Sequence, residues 1–158
     1  MESTNPESRR EFLKYLSALT AGMIIANPTI GATTSRDHFG EILPVRKLGK
    51  TSIEVTMLGV GGYHIGWTTE KNAQEVIESA MEGGIRFFDT AESYGPHTSE
   101  IRYGKYLTPK YRDDIFLMTK TYTKRASQAR QHLIESLERL KTDYLDLWQV
   151  HSLESPEG

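Results

Sequence analysis

Cysteine is absent from all 158 residues, which excludes disulfide bonds, thiolate catalysis and cysteine metal sites. Its absence also fits an oxidising compartment without requiring one. Runs of one charge are lacking as well. The 19 Lys and Arg stand against 21 Asp and Glu, for a formal net charge of -2, and the basic residues are scattered. Neither nucleic acid nor an anionic membrane surface is therefore an expected partner. No apolar stretch approaches the roughly 20 residues that span a bilayer, so stable membrane insertion is not expected. No repeat or low-complexity segment occurs. What remains is the composition of a globular protein, 37% hydrophobic and 25% charged, at a length that suits a single core.

The first 34 residues differ in character from those that follow. "SRREFLK", Ser8 to Lys14, precedes a moderately apolar run from Tyr15 to Ala26, and "NPTIGATTS" then supplies small and turn-forming residues. A paired-arginine head, a short apolar region and a small-residue exit have the layout of an export signal. Arg9 and Arg10 side by side, with Phe12 and Leu13 just behind, resemble the twin-arginine signal. The other reading is an N-terminal amphipathic helix with two solvated arginines. The resemblance implies passage, already folded, through the twin-arginine export machinery to a periplasmic or other extracytoplasmic location, with cleavage near Ala32. The expected division is 1–34 signal, 35–44 linker and 45–158 folded domain.

From Val45 the periodicity alternates. "VRKLGKTSIEV" places short apolar alternations on either side of Gly49 to Ser52, a hairpin signal. "MLGVGG" reads as a glycine-rich strand end. After Thr68 and Thr69, either able to cap, Ala73, Val76, Ile77, Ala80 and Met81 share one helical face that Gly83 and Gly84 terminate. The strand "IRFFD", a helix around Ser99 to Leu107, the strand "IFLMTK", a helix striped by Ala129, Leu133, Leu137 and Leu140, and the strand "YLDLWQV" follow. Strand and helix in turn, with short connections, predict βαβ units and a parallel sheet.

Every second side chain of a strand shares a face. Ile85, Phe87 and Asp89 share one; Phe116, Met118 and Lys120 another; Leu145, Leu147, Gln149 and His151 a third. Each set ends in an ionisable residue at the carboxyl end, the edge where parallel α/β proteins assemble their sites. Taken singly, Asp89 suits a turn cap, Lys120 a snorkelling surface lysine and His151 a structural histidine. Three successive strands ending in Asp, Lys and His are not explained by packing.

"FFDTAESYG" from Phe87 to Gly95, with Ser99-Glu100 and "YGKYL" from Tyr103 behind it, "FLMTK" at Phe116 to Lys120 and "YLDLWQVH" at Tyr144 to His151 resemble, in order and spacing, the aldo-keto reductases. "VRKLGKTSIEV" is similar to the hairpin that closes the floor of that family's barrel, and "MLGVGGYHIG" to its first strand and loop. The resemblance implies an α/β fold of the (β/α)8 TIM-barrel family, of which this chain holds about the first four βα units, so that the chain is expected to be a fragment of a longer reductase. It also implies a catalytic tetrad of Asp89, Tyr94, Lys120 and His151, NADPH (or NADH) as cofactor and a small-molecule aldehyde, ketone or sugar carbonyl as substrate. Gly62, Tyr63 and Asp89 are the expected cofactor contacts. Tyr63, His64 and Trp67 line the substrate pocket or are surface aromatics.

The chemistry asks for these groups. Carbonyl reduction needs hydride at carbon and a proton at oxygen; a nicotinamide brings the first, and the protein must supply the second. A phenol is a poor acid at neutral pH, an adjacent ammonium favours its phenolate, and a carboxylate keeps the ammonium charged and in place. Tyr94 is then the proton donor, Lys120 the tuning group, Asp89 its anchor, and His151 the group that orients the carbonyl. Two other classes are open. One is a non-catalytic binding or regulatory subunit with the same barrel. The other is a metal-dependent hydrolase using His64, His97 and His151, which lacks the closely spaced histidine pair such a site wants.

Overall fold

The computed structural model describes residues 35–153; the readings placed on Arg9, Arg10 and the cleavage point near Ala32 lie outside the described residues. Two antiparallel hairpins come first: β1 (Arg36–Asp37) with β2 (Gly40–Glu41), and β3 (Val45–Lys47) with β4 (Glu54–Thr56). Then follow β5 (Val60–Gly61), α1 (Tyr63–Trp67), α2 (Glu70–Glu82), β6 (Phe87–Asp89), α3 (Thr98–Tyr106), α4 (Thr108–Tyr111), β7 (Phe116–Thr121), α5 (Ala126–Leu140) and β8 (Leu147–Val150). β5, β6, β7 and β8 form one sheet in that order, every pair parallel.

Alternation along the strands sorts the core into two layers. Phe88 of β6 and Leu117 of β7, both wholly buried, pack with Ile77 and Met81 of α2, Tyr103 of α3 and Leu140 of α5. The intervening residues face the other way: Phe116 and Met118 pack with Phe87, Leu147 and the hairpin residues Val55 and Leu48. The β3–β4 hairpin thus covers the amino-terminal part of that sheet face. Farther along the strands, toward their carboxyl ends, the same face carries Asp89 and Lys120.

Helix α2 forms for the reason its sequence predicts. Thr69 caps it, its hydroxyl accepting from the Asn72 N–H at 3.2 Å. Gly84, at φ 82°, takes a left-handed conformation that favours glycine just past its end. Ala73, Ile77, Ala80 and Met81 are buried, but Val76 is 46% exposed. It lines an open groove with Val60, Ile65 and Ala80 between α2 and β5.

Three segments differ from expectation. Residues 35–44, expected as a linker, contain the β1–β2 hairpin. Phe39 packs against the main core, and Asp37 pairs with the Arg86 Nε at 2.6 Å. Arg86 also donates to the Met81 and Ile85 carbonyls; β6 is shorter than "IRFFD", beginning at Phe87. The loop expected after β5 holds the five-residue helix α1. In α5 the apolar stripe is only half-buried at Ala129, Leu133 and Leu137, whereas Ser136 and Leu140 are buried.

Candidate functional site

The parallel register places the strand-end residues side by side. Gly61 aligns with Asp89, Asp89 with Met118, and Lys120 with Gln149. Lys120 Nζ donates to Asp89 Oδ1 in an ion pair, and to the Thr90 carbonyl at 2.8 Å. The Lys120 side chain is only 13% exposed. A half-buried ammonium needs such partners to remain charged without large cost.

Tyr94 lies in the turn between β6 and α3, its ring centroid 5.1 Å from Lys120 Nζ. Gly95 follows at φ 62°, and the Cβ of any other residue there would overlap the Gly66 backbone. Glycine after Tyr94 therefore allows the turn to close against α1. The Tyr94 ring also meets the His151 ring edge-on, with centroids 5.5 Å apart. His151 stands just past β8, where its backbone N–H donates to the Thr121 carbonyl at 2.7 Å. Asp89, Tyr94, Lys120 and His151 are thus brought together from three strand ends and one turn.

The expected cofactor contacts differ in their surroundings. Tyr63, 53% exposed, stacks edge-on to Tyr94 at 5.5 Å and borders the site. Gly62 is buried, and a Cβ there would lie 2.5 Å from the Asp89 carbonyl oxygen and 2.8 Å from Ser99 Oγ. Its smallness serves the packing of β5 against the start of α3. Gly61 faces open space, with nothing within 4 Å of where its Cβ would stand. With Val60, Phe87, Asp89, Met118 and Lys120 it lines a cavity of about 410 Å³. An apolar floor, a bare backbone wall and one ion pair at the rim suit a flat, partly polar ring. Trp67 is 60% exposed and reaches Tyr63 at 6.3 Å between centroids. His64, His97 and His151 form no metal-holding cluster of His, Asp and Glu among the described residues.

Several residues of the site carried no sequence signal. Ser93 Oγ lies 3.2 Å from His151 Nδ1. Glu92, 1% exposed, sits beneath the turn. There the Thr121 hydroxyl and the Tyr122 N–H each donate to it at 2.6 Å. Nothing in "DTAESYG" itself marks this glutamate as buried. Its contacts come from residues about thirty positions away, which no local pattern reports.

Residues 57–157 match the sequence profile of the aldo/keto reductase family. The chain belongs to the aldo/keto reductase family. Its four strands and their helices are accordingly part of a (β/α)8 barrel. It is 39% identical over 121 residues to aldo-keto reductase YhdN of Bacillus subtilis, covering 66% of this chain and 36% of that protein. To L-galactose dehydrogenase of Arabidopsis thaliana it is 34% identical over 124 residues, covering 71% and 39%. Among solved structures, the holo form of aldo-keto reductase AKR11C1 from Bacillus halodurans superposes with a TM-score of 0.63 at 30% identity, covering 72% of this chain and 42% of that one. An aldo-keto reductase from Klebsiella pneumoniae in complex with NADPH superposes at 0.58 with 28% identity, over 65% and 37%. The chain spans less than two fifths of the length of these curated relatives.

Proposed function

We propose that the full-length protein is an NADPH-dependent oxidoreductase that reduces the carbonyl of a small aldehyde, ketone or sugar, and that Asp89, Tyr94, Lys120 and His151 carry the reaction. The observation that carries this reading is the Lys120 ammonium, paired with the Asp89 carboxylate and 5.1 Å from the Tyr94 ring centroid, with the His151 ring edge-on to the same tyrosine. The complex of a structural relative with NADPH supports the choice of cofactor. When bound, the reduced nicotinamide supplies the hydride.

This chain's residues do the rest. Gly61, Phe87 and Met118 offer the wall and floor against which the ring would lie, and Asp89 and Lys120 the polar rim. Tyr94 gives its proton to the carbonyl oxygen as negative charge develops there. The phenolate left behind is stabilised by the Lys120 ammonium, which Asp89 and the Thr90 carbonyl hold in place. His151 donates a hydrogen bond to the same oxygen and fixes the carbonyl's direction. Substitution Lys120→Met in the full-length protein is expected to lower kcat for a good carbonyl substrate by about 100-fold or more. Steady-state oxidation of NADPH measures this, and a variant with undiminished turnover would reject the assignment.

We also propose that residues 1–34 are a twin-arginine export signal ahead of the folded domain, and that the mature protein works outside the cytoplasmic membrane. The paired arginines followed by Phe12 and Leu13 support this. Fractionation of cells expressing the protein tests it. Replacing Arg9 and Arg10 together by lysine is expected to leave the protein in the cytoplasm, and unchanged export would contradict the signal.

A further inference from the structure

Glu92 is a buried charge that the proposed chemistry does not use, and it sits between Asp89 and Tyr94 in the chain. Its Oε1 accepts from the Thr121 hydroxyl and from the Tyr122 N–H, both at 2.6 Å. His132 Nδ1 of α5 lies 3.0 and 3.1 Å from its two oxygens. Burial pushes its pKa up, but the hydrogen bonds from Thr121, His132 and the Tyr122 N–H outweigh that and hold it below the usual glutamate range. Arg139, which bonds Glu100 at 2.6 Å, adds a guanidinium 3.9 Å away.

The backbone around this carboxylate reaches the whole constellation. The Glu92 N–H donates to the Lys120 carbonyl at 3.1 Å, and the Thr121 carbonyl accepts from the His151 N–H at 2.7 Å. Thr121 is therefore held on its side chain by Glu92 and holds His151 by its backbone. The turn that carries Tyr94 is tied, through the same glutamate, to the strand end that carries Lys120. A neutral hydrogen-bonding residue could satisfy one or two of these donors; a carboxylate satisfies three from one point, with the stronger bonds of an ionised acceptor.

We propose that Glu92, acting through Thr121 and the Tyr122 backbone, is a positioning residue that fixes Tyr94 and His151 in register with Lys120. This rests on the reductase reading for its catalytic consequence but not for its geometric one. The test compares the full-length protein with Glu92→Ala, Glu92→Gln and Thr121→Val. The measurements are kcat and KM on one carbonyl substrate, NADPH affinity by fluorescence, and a crystal structure of each variant.

Glu92→Ala is expected to lose roughly 100-fold in kcat, the scale of a misplacement of about 1 Å, with NADPH affinity changed by less than about threefold. Glu92→Gln, which keeps the acceptor oxygen, should recover to within about fivefold of the parent, and Thr121→Val should lose about tenfold. The Tyr94 or His151 ring should shift relative to Lys120 by about 1 Å in the alanine variant. A folded Glu92→Ala that keeps kcat within about twofold, or whose structure leaves the three residues within about 0.5 Å of their places, overturns the proposal. If Glu92→Ala does not fold, Thr121→Val decides on the same two readouts. A parent protein inactive on every carbonyl would reject the reductase reading alone, and the variant structures would then decide positioning.

Discussion

Ser93 and His151 are 58 positions apart and meet through one contact of 3.2 Å. A hydroxyl that donates to Nδ1 leaves the imidazole proton on Nε2, and the hydrogen bond to one ring nitrogen thereby sets what the other can do. In the proposed reaction Nε2–H is the group that meets the carbonyl oxygen, which requires the Ser93 hydroxyl to be the donor in this contact. Ser93→Ala is expected to lower kcat by about three- to tenfold, the worth of one such bond. It should also broaden the tautomer population seen in ¹⁵N NMR of His151. A variant with the parent's tautomer signature and turnover would show that the serine only packs there. Strand alternation alone placed Asp89, Lys120 and His151 at one sheet edge; Tyr94 and the tetrad as a group were legible only through the family resemblance of "FFDTAESYG", "FLMTK" and "YLDLWQVH". Ser93, Glu92 and Thr121 were not legible, because their partners arrive from other strands, and only the assembled sheet brings these groups within hydrogen-bond reach.

At the scale of elements, the β1–β2 hairpin is the feature that composition hid. Two-residue strands have no periodicity to read, and "RDHFGE" looks like polar connecting chain. It is anchored by charge and one ring: Asp37 pairs with the buried Arg86 beneath β6, and Phe39 meets Tyr111 edge-on at 4.8 Å. The Arg86 hydrogen bond above all, with help from the Phe39 and Gly40 N–H groups, overcomes the effect of burial and holds the Asp37 carboxyl below its ordinary value. A carboxylate whose folded pKa is depressed stabilises the fold above its unfolded value, about 3.9, and loses that contribution as pH falls through the lower, folded value. Asp37→Asn is accordingly expected to cost about 1.5–3 kcal/mol at neutral pH. The gap in urea midpoint between parent and variant should shrink progressively below about pH 4. A gap that stayed constant with pH would show that the ion pair contributes nothing. The long helices, by contrast, were readable: α2 shows its buried face in Ala73, Ile77, Ala80 and Met81, and Thr69 marks its start. Periodicity identifies the apolar face of a helix but not what covers it, so Val76 on the rim of that face is exposed and the α5 stripe is only half-buried.

At the scale of the molecule, the sheet runs outward from β6 and β7 to β5 and β8, with helices on one face. On the other face, the β3–β4 hairpin packs at one end and the ionisable cluster lies at the opposite end. This is the polarity of a barrel wall, with stability toward the amino ends of the strands and chemistry at their carboxyl ends. The order of strands and helices alone implied βαβ units in a parallel sheet, because parallel neighbours need crossover connections; the barrel was implied by the family resemblance. The chain matches less than two fifths of the length of its curated relatives. The proposed reaction therefore belongs to the full-length protein, in which these strands contribute the acid, its tuning pair and the orienting imidazole. The most direct test of that account is the kinetics of Tyr94→Phe in the full-length protein, measured beside its NADPH affinity. Removing the Tyr94 hydroxyl should lower carbonyl-dependent NADPH oxidation by about 10²- to 10⁴-fold and leave NADPH binding unchanged within about threefold. Turnover equal to the parent's, with binding intact, would contradict the claim that Tyr94 is the proton donor.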